Sequence, residues 1–152
     1  PVRPFRTING YGLFRSMTTT RFEYAIEAST DRVKWHTYEF RYKPCDPRRR
    51  PPFVAPHQPR LDWQMWFAAI HLPSHQHWVQ SLMARLLEGA PDVVGLLANN
   101  PFEDEPAKHI RLVKYEYRFA DPKQRRSTGA WWQRRLVGSS GIMTPGQAKG
   151  GR

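Results

Sequence analysis

Arg21-Phe22-Glu23-Tyr24-Ala25-Ile26-Glu27-Ala28 is the stretch that decides the fold. Phe22, Tyr24, Ile26 and Ala28 alternate with Arg21, Glu23, Ala25 and Glu27. A period of two predicts a strand with one buried face. The same period returns nearby, where His36, Tyr38, Phe40 and Tyr42 alternate with Trp35, Thr37, Glu39, Arg41 and Lys43. Turn residues at 29–34 make the two segments a hairpin with a slightly long loop. Leu13, Arg15 and Met17 suggest an earlier strand after Gly12. Far downstream, Val113, Tyr115, Tyr117 and Phe119 alternate with Leu112, Lys114, Glu116 and Arg118, and residues 131–137 suggest a last strand.

The strands therefore fall in residues 13–43 and 110–137, and the two ends of the chain are expected to share a sheet. Pro44, Pro47, Pro51, Pro52, Pro56 and Pro59 exclude helix or ladder from residues 44–59, which reads as an extended segment pinned across the surface. A helical insertion over 60–99 follows. Its first helix is expected over 61–70, stopped by Pro73. The second is expected over 77–88, with Trp78, Leu82, Met83, Leu86 and Leu87 at helical spacing and Gly89 as C-terminal cap. A third is expected over 91–98, opened by Pro91. Residues 139–152 are Gly-, Ser- and Lys-rich and read as a disordered tail after a domain of residues 1–138. The expected class is α+β: an antiparallel, β-sandwich-like sheet with a helical insertion.

The 152 residues suffice for one domain with a real core. With 24 Lys+Arg against 13 Asp+Glu, the net charge of +11 suits an acidic partner, an anionic membrane surface or nucleic acid. No run reaches the ~18 apolar residues of a membrane-spanning helix. No signal-peptide pattern is present and the chain starts at Pro1, so it reads as a piece of something longer. Cys45 is the single cysteine, which rules out an internal disulfide.

Pro56-His57-Gln58-Pro59-Arg60-Leu61-Asp62-Trp63-Gln64-Met65-Trp66-Phe67-Ala68-Ala69 combines two prolines, a turn and an abrupt apolar helix. Trp63 and Trp66, three apart, share a helix face. Asp62 is expected in the first turn, where a carboxylate complements unpaired N–H groups. This stretch resembles the signature of the lipase maturation factor family. Tyr11-Gly12-Leu13-Phe14 with Met17-Thr18, Glu39 through Pro44, and Asp46 through Pro52 are similar to its upstream blocks. Leu86 through Gly89, Asn100-Pro101-Phe102, Tyr115 through Phe119 and Gly129-Ala130-Trp131-Trp132 follow in the family's order. The resemblance spans residues 4–138.

The resemblance implies the soluble domain of a multi-pass membrane protein, lying after the last spanning helix. It implies a non-enzymatic, chaperone-like maturation factor that binds immature lipases, with no cofactor. The implied location is the lumenal side of the endoplasmic reticulum membrane in a eukaryote, or the cell membrane in a bacterium. His57, Arg60, Asp62, Trp63, Trp66, Trp131 and Trp132 are the signature residues that would meet a partner. A carbohydrate- or ligand-binding β-sandwich is the alternative. Glu27-Ala28-Ser29-Thr30-Asp31 followed by Trp35 resembles a turn of discoidin-like, galactose-binding domains, with Arg32 where that turn carries Gly.

Each candidate also has a plainer reading. Arg60 with Asp62 fits a structural ion pair at a helix start, and the Trp63/Trp66 face fits a core. His71, His75 and His77 crowd one expected loop, but Pro73 prevents His71 and His75 from sharing a helix face, so metal ligation is not expected. No G-x-S-x-G and no Gly-rich phosphate loop occurs. Cys45 stands where the family pattern has Gly, which argues against a catalytic thiol. Arg48-Arg49-Arg50, Lys123/Arg125/Arg126 and Arg134-Arg135 could follow phosphates, but the aromatics lie on core-like faces and nucleic acid is not the expected partner.

Overall fold

The computed structural model describes residues 20–103 and 105–148. The strand expected at 13–17 and the Tyr11-Gly12-Leu13-Phe14 block lie outside them, as does the end of the expected tail. Four strands form one antiparallel sheet in the order β2-β1-β3-β4. They are β1 (Arg21–Ser29), β2 (His36–Tyr38), β3 (His109–Phe119) and β4 (Trp132–Ser139). The α+β class holds, and sequence-distant strands do meet, since β1 pairs with β3 from Arg21↔Tyr117 to Ser29↔His109. Among the described residues there is one sheet, and the layer packed on it is helical rather than a second sheet.

The helices are α1 (Arg60–Ile70), α2 (Leu72–Leu87), α3 (Pro91–Val94), α4 (Pro122–Thr128) and α5 (Pro145–Ala148). Met65, Ala68 and Ala69 of α1 are buried at helical spacing, and the two alanines let the helix lie close to β1. Val79, Leu82, Met83, Leu86 and Leu87 form the matching stripe of α2. These side chains join Tyr24, Ile26, Ala28, Tyr38, Phe40, Ile110 and Leu112 in one core.

Several expectations need correction. Pro73 does not separate a helix from a loop; it lies in the first turn of α2, where its missing N–H has no helical acceptor to lose. His75 and His77 are therefore helical, not part of a loop. The third helix ends at Val94 instead of residue 98, because the Ala98 N–H donates to Glu39 O and the Asn99 side chain accepts from Glu39 N. The second strand is also shorter than its alternation. Past Tyr38 its N–H groups find other acceptors: Asn99 for Glu39, Cys45 Sγ for Phe40, and Asp62 for Tyr42 and Lys43. Gly89 does cap α2, at φ 65°, with Gly89 N donating to Leu86 O and Ala90 N to Arg85 O.

Residues 44–59 contain no helix or strand. They are pinned to the sheet by Trp131 N and Trp132 N, which both donate to Pro47 O, and by Tyr117 OH, which donates to Cys45 O at 3.0 Å. The Ala55–Pro56 peptide is cis. At the other end, β4 runs through Ser139, Ser140 N donates to Leu112 O, and Met143 pairs with Ile110. α5 then packs on α2. Sidedness explains the difference from the expected tail: Met143 docks on the core while the adjacent Ile142 stays exposed.

Candidate aromatic cleft

The start of α1 is fixed from inside. Asp62 is fully buried in the first turn, and its Oδ1 accepts the N–H groups of Tyr42 and Lys43, both at 2.8 Å. Arg60 is exposed, and among the described residues it forms no ion pair with Asp62. The expected Arg60–Asp62 pair is thus replaced by a carboxylate clamp on the backbone just before the proline-rich segment. By accepting both N–H groups, the buried one of Lys43 and the part-buried one of Tyr42, the carboxylate keeps them from being stranded.

Beside the clamp lies a second buried charge. The Lys43 side chain is 1% exposed and its Nζ lies 3.6 Å from Glu23 Oε2, a distance that makes an ion pair but not a hydrogen bond. Nζ donates to Pro44 O at 3.3 Å and sits 4.8 Å from the Phe40 ring centre. Burial alone would lower the Lys43 pKa. Cys45, Glu23, Tyr117 and Asp62 outweigh it and hold the ammonium above its ordinary value. Glu23 in turn accepts Arg21 Nε at 2.8 Å. Charged residues on an otherwise apolar strand were the available signal for this network, but alternation alone reads Glu23 as solvent-facing.

Fixing α1 in this way presents its aromatic side. Trp63, Trp66 and Phe67 form a cluster with ring centres 5.0–5.4 Å apart. Trp63 and Trp66 line a cleft of about 290 Å³. Phe119 at the end of β3, Trp132 at the start of β4, and Pro51 and Pro52 of the extended segment complete its apolar lining. Phe119 stacks on Trp132 at 4.1 Å, Tyr117 meets Trp132 edge-on at 6.0 Å, and the Arg21 guanidinium lies 5.5 Å from the Trp132 ring centre. Trp132 is buried, whereas Trp63 is 38% and Phe119 67% exposed. The cleft therefore has a fixed aromatic floor and aromatic edges open to solvent.

Of the sequence-predicted residues, Trp63, Trp66 and Trp132 meet at the cleft, and Asp62 acts beneath it. Trp131 does not line it; the Arg125 guanidinium lies 3.2 Å from its ring centre and that of Arg50 5.4 Å. His57 is exposed and outside the lining, although its neighbour Gln58 belongs to it. Arg21 and Phe119 are lining residues that the sequence did not mark as candidates, and Arg49, marked only as a possible phosphate contact, also lines the cleft.

The basic groups are largely engaged within the fold. Arg49 donates to Phe40 O and Arg41 O, and Arg134 donates to Cys45 O at 3.1 Å. Arg118 and Arg135 both bind Glu116, whose carboxyl they hold below the ordinary range, Arg135 most strongly. Among the described residues no cluster of His, Cys, Asp or Glu is arranged to hold a metal ion. His75 Nδ1 instead accepts Trp78 Nε1 at 3.0 Å. Cys45 is buried, and its carbonyl serves Tyr117 and Arg134.

The family described as Lipase maturation factor C-terminal domain matches residues 7–142. Lipase maturation factor 2 of Rattus norvegicus is 44% identical over 142 residues, covering 90% of this chain and 20% of that protein. The Homo sapiens protein of the same name gives the same identity and coverage. Lipase maturation factor 1 of Bos taurus is 41% identical over 143 residues, covering 89% of this chain and 26% of the relative. The chain thus spans about a fifth to a quarter of the length of these relatives. No solved structure matches it. The residues that build the cleft, from the proline-rich segment, α1, β3 and β4, all fall inside the matched span, and the chain belongs to the lipase maturation factor family.

Proposed function

We propose that the aromatic cleft is the client-holding surface of a non-enzymatic maturation factor, and that the client is an immature lipase. The observation that carries this reading is the convergence of Trp63, Trp66, Phe119 and Trp132 from three separate elements onto one cleft with exposed edges. Part-exposed aromatics on a rigid floor supply contact area at low entropic cost, which is how binding hot spots work. The basic surface speeds encounter and fades with salt. The domain would act while joined to a membrane-spanning region, facing the lumen of the endoplasmic reticulum in a eukaryote or standing at the cell membrane in a bacterium.

The test is refolding of a denatured lipase with and without the domain, using Trp63→Ala/Phe119→Ala as control. Higher active-lipase yield with the native domain but not with the double variant supports the reading. No complex at low salt and no change in yield overturns it. The combination of Trp with Arg21 and Arg49 at one cleft also fits the alternative, a carbohydrate- or ligand-binding module, since sugar rings stack on Trp and sugar hydroxyls accept from guanidinium N–H groups. Saturable binding of a glycan that is lost in the same variant would favour that alternative.

A further inference from the structure

The second open surface is a sheet edge. β4 pairs only with β3 among the described strands, and its residues from Gln133 to Ser139 are all exposed. Its hydrogen-bond phase can be read from its first residues. Trp131 O accepts Ala120 N and so faces β3, whereas the N–H groups of Trp131 and Trp132 both turn to Pro47 O. Register runs unbroken from Phe119↔Trp132 to Tyr115↔Leu136. Antiparallel alternation therefore turns the N–H and C=O groups of Arg134 and the N–H of Leu136 outward as well, up to the register shift that follows at Val137. Pro47 covers the edge at Trp132; among the described residues no backbone group covers it at Arg134 or Leu136.

The side chains along this edge define a partner. Leu136 and Val137 are 60% and 47% exposed, so an added strand would meet apolar surface. Arg134 and Arg135 precede them on β4, Arg118 joins Arg135 on Glu116, and the acidic groups of this region are Glu116 and Glu27, the latter bound by Tyr115 OH. Arg118 and Arg135 keep most of their side chains in solvent. An exposed edge with apolar side chains recruits extended chains, and a cationic border selects among them.

We propose that the outer edge of β4 accepts an extended segment of a partly folded polypeptide, alternating apolar and acidic residues, as a further strand. The partner's nature rests on the client-holding reading above; the site and mode of contact do not. Main-chain bonds to Arg134 and Leu136 give affinity that tolerates varied sequence, as a chaperone-like domain requires. The Arg border rejects basic segments.

The probe is a short synthetic peptide alternating Val and Glu, compared with its N-methylated form and with a Val/Lys peptide. Amide exchange of the 1–152 chain is followed by NMR at low salt. The Val/Glu peptide is expected to slow exchange at Arg134 and Leu136 by about tenfold or more, as new strand pairing does. The N-methylated and Val/Lys peptides are expected to leave it unchanged. Leu136→Pro removes an outward N–H at a sheet edge, where proline is tolerated, and should abolish the protection while keeping the thermal transition.

Equal binding of the N-methylated peptide, or protection confined to the cleft near Trp63, overturns the proposal. So does slow exchange at both amides before peptide is added, because the edge would then be occupied by residues 13–17 or by a second copy of the chain. Trp63→Ala/Phe119→Ala should leave the edge protection intact, which separates failure of this proposal from failure of the cleft reading. If Leu136→Pro does not fold, the N-methylated peptide still decides.

Discussion

Asp62 Oδ1 accepts the backbone N–H groups of both Tyr42 and Lys43 at 2.8 Å, and so ties the first turn of α1 to the chain leaving β2. Because Arg60 is exposed, the carboxylate is committed to backbone and not to its neighbour. Asp62→Ala should cost about 3 kcal/mol, since a buried N–H group (Lys43) and a part-buried one (Tyr42) lose their acceptor. Arg60→Ala should stay within about 0.5 kcal/mol of the native chain. Urea midpoints of the two variants check the contrast; equal losses would restore the ion pair.

Asp31 predicts a pH dependence. The N–H groups of Lys34 and Val33, then the Ser29 hydroxyl, bind its carboxylate and lower its pKa to about 2. The folded value lies below the unfolded one, about 3.9. The stabilisation is therefore complete above about pH 4 and is lost as pH falls through about 2. Asp31→Asn should make the loss of stability across that window shallower. Glu116 contributes a parallel loss through Arg135 and Arg118, so the slope should shrink without vanishing. Unfolding midpoints at several pH values read this directly.

Arg32 occupies the left-handed region at φ 64°, in the turn where discoidin-like domains carry Gly. An L side chain there costs about 1–2 kcal/mol, and Gly returns part of this through unfolded-state entropy. Arg32→Gly should therefore stabilise the domain by about 0.5–1 kcal/mol. The exposed contact of Arg32 with His109, at 3.3 Å, is too weak to reverse the sign. A midpoint unchanged or lowered in Arg32→Gly would show that this contact matters more.

β3 is the inner strand that joins β1 to β4 and carries Ile110, Leu112 and Tyr117 into the interior. Removing residues 106–138 should abolish cooperative unfolding, because β1 then loses its long partner and half the sheet. A 1–105 fragment with a sharp thermal transition and native near-UV spectrum would contradict this.

The periods of the chain determined much of this architecture. Alternation in residues 21–28 and 110–119 located both long strands, but not the single buried face expected of β1, where Glu23, Ala25 and Glu27 are buried as well. Gly89 was legible as a cap because a positive φ favours glycine. Trp63 and Trp66 were legible as neighbours because helical spacing is local. Tertiary structure alone decided where N–H groups went once strands ended. Asn99, Cys45 and Asp62 capture the backbone after Tyr38 and shorten β2, and no local pattern announces acceptors 5 to 60 residues away. It also decided that Glu23 and Lys43 are buried partners, which alternation reads as solvent-facing. The cleft is of the same kind. Its residues were visible one by one, but their meeting depends on how the proline-rich segment, α1 and the ends of β3 and β4 pack, and packing is a property of the whole chain.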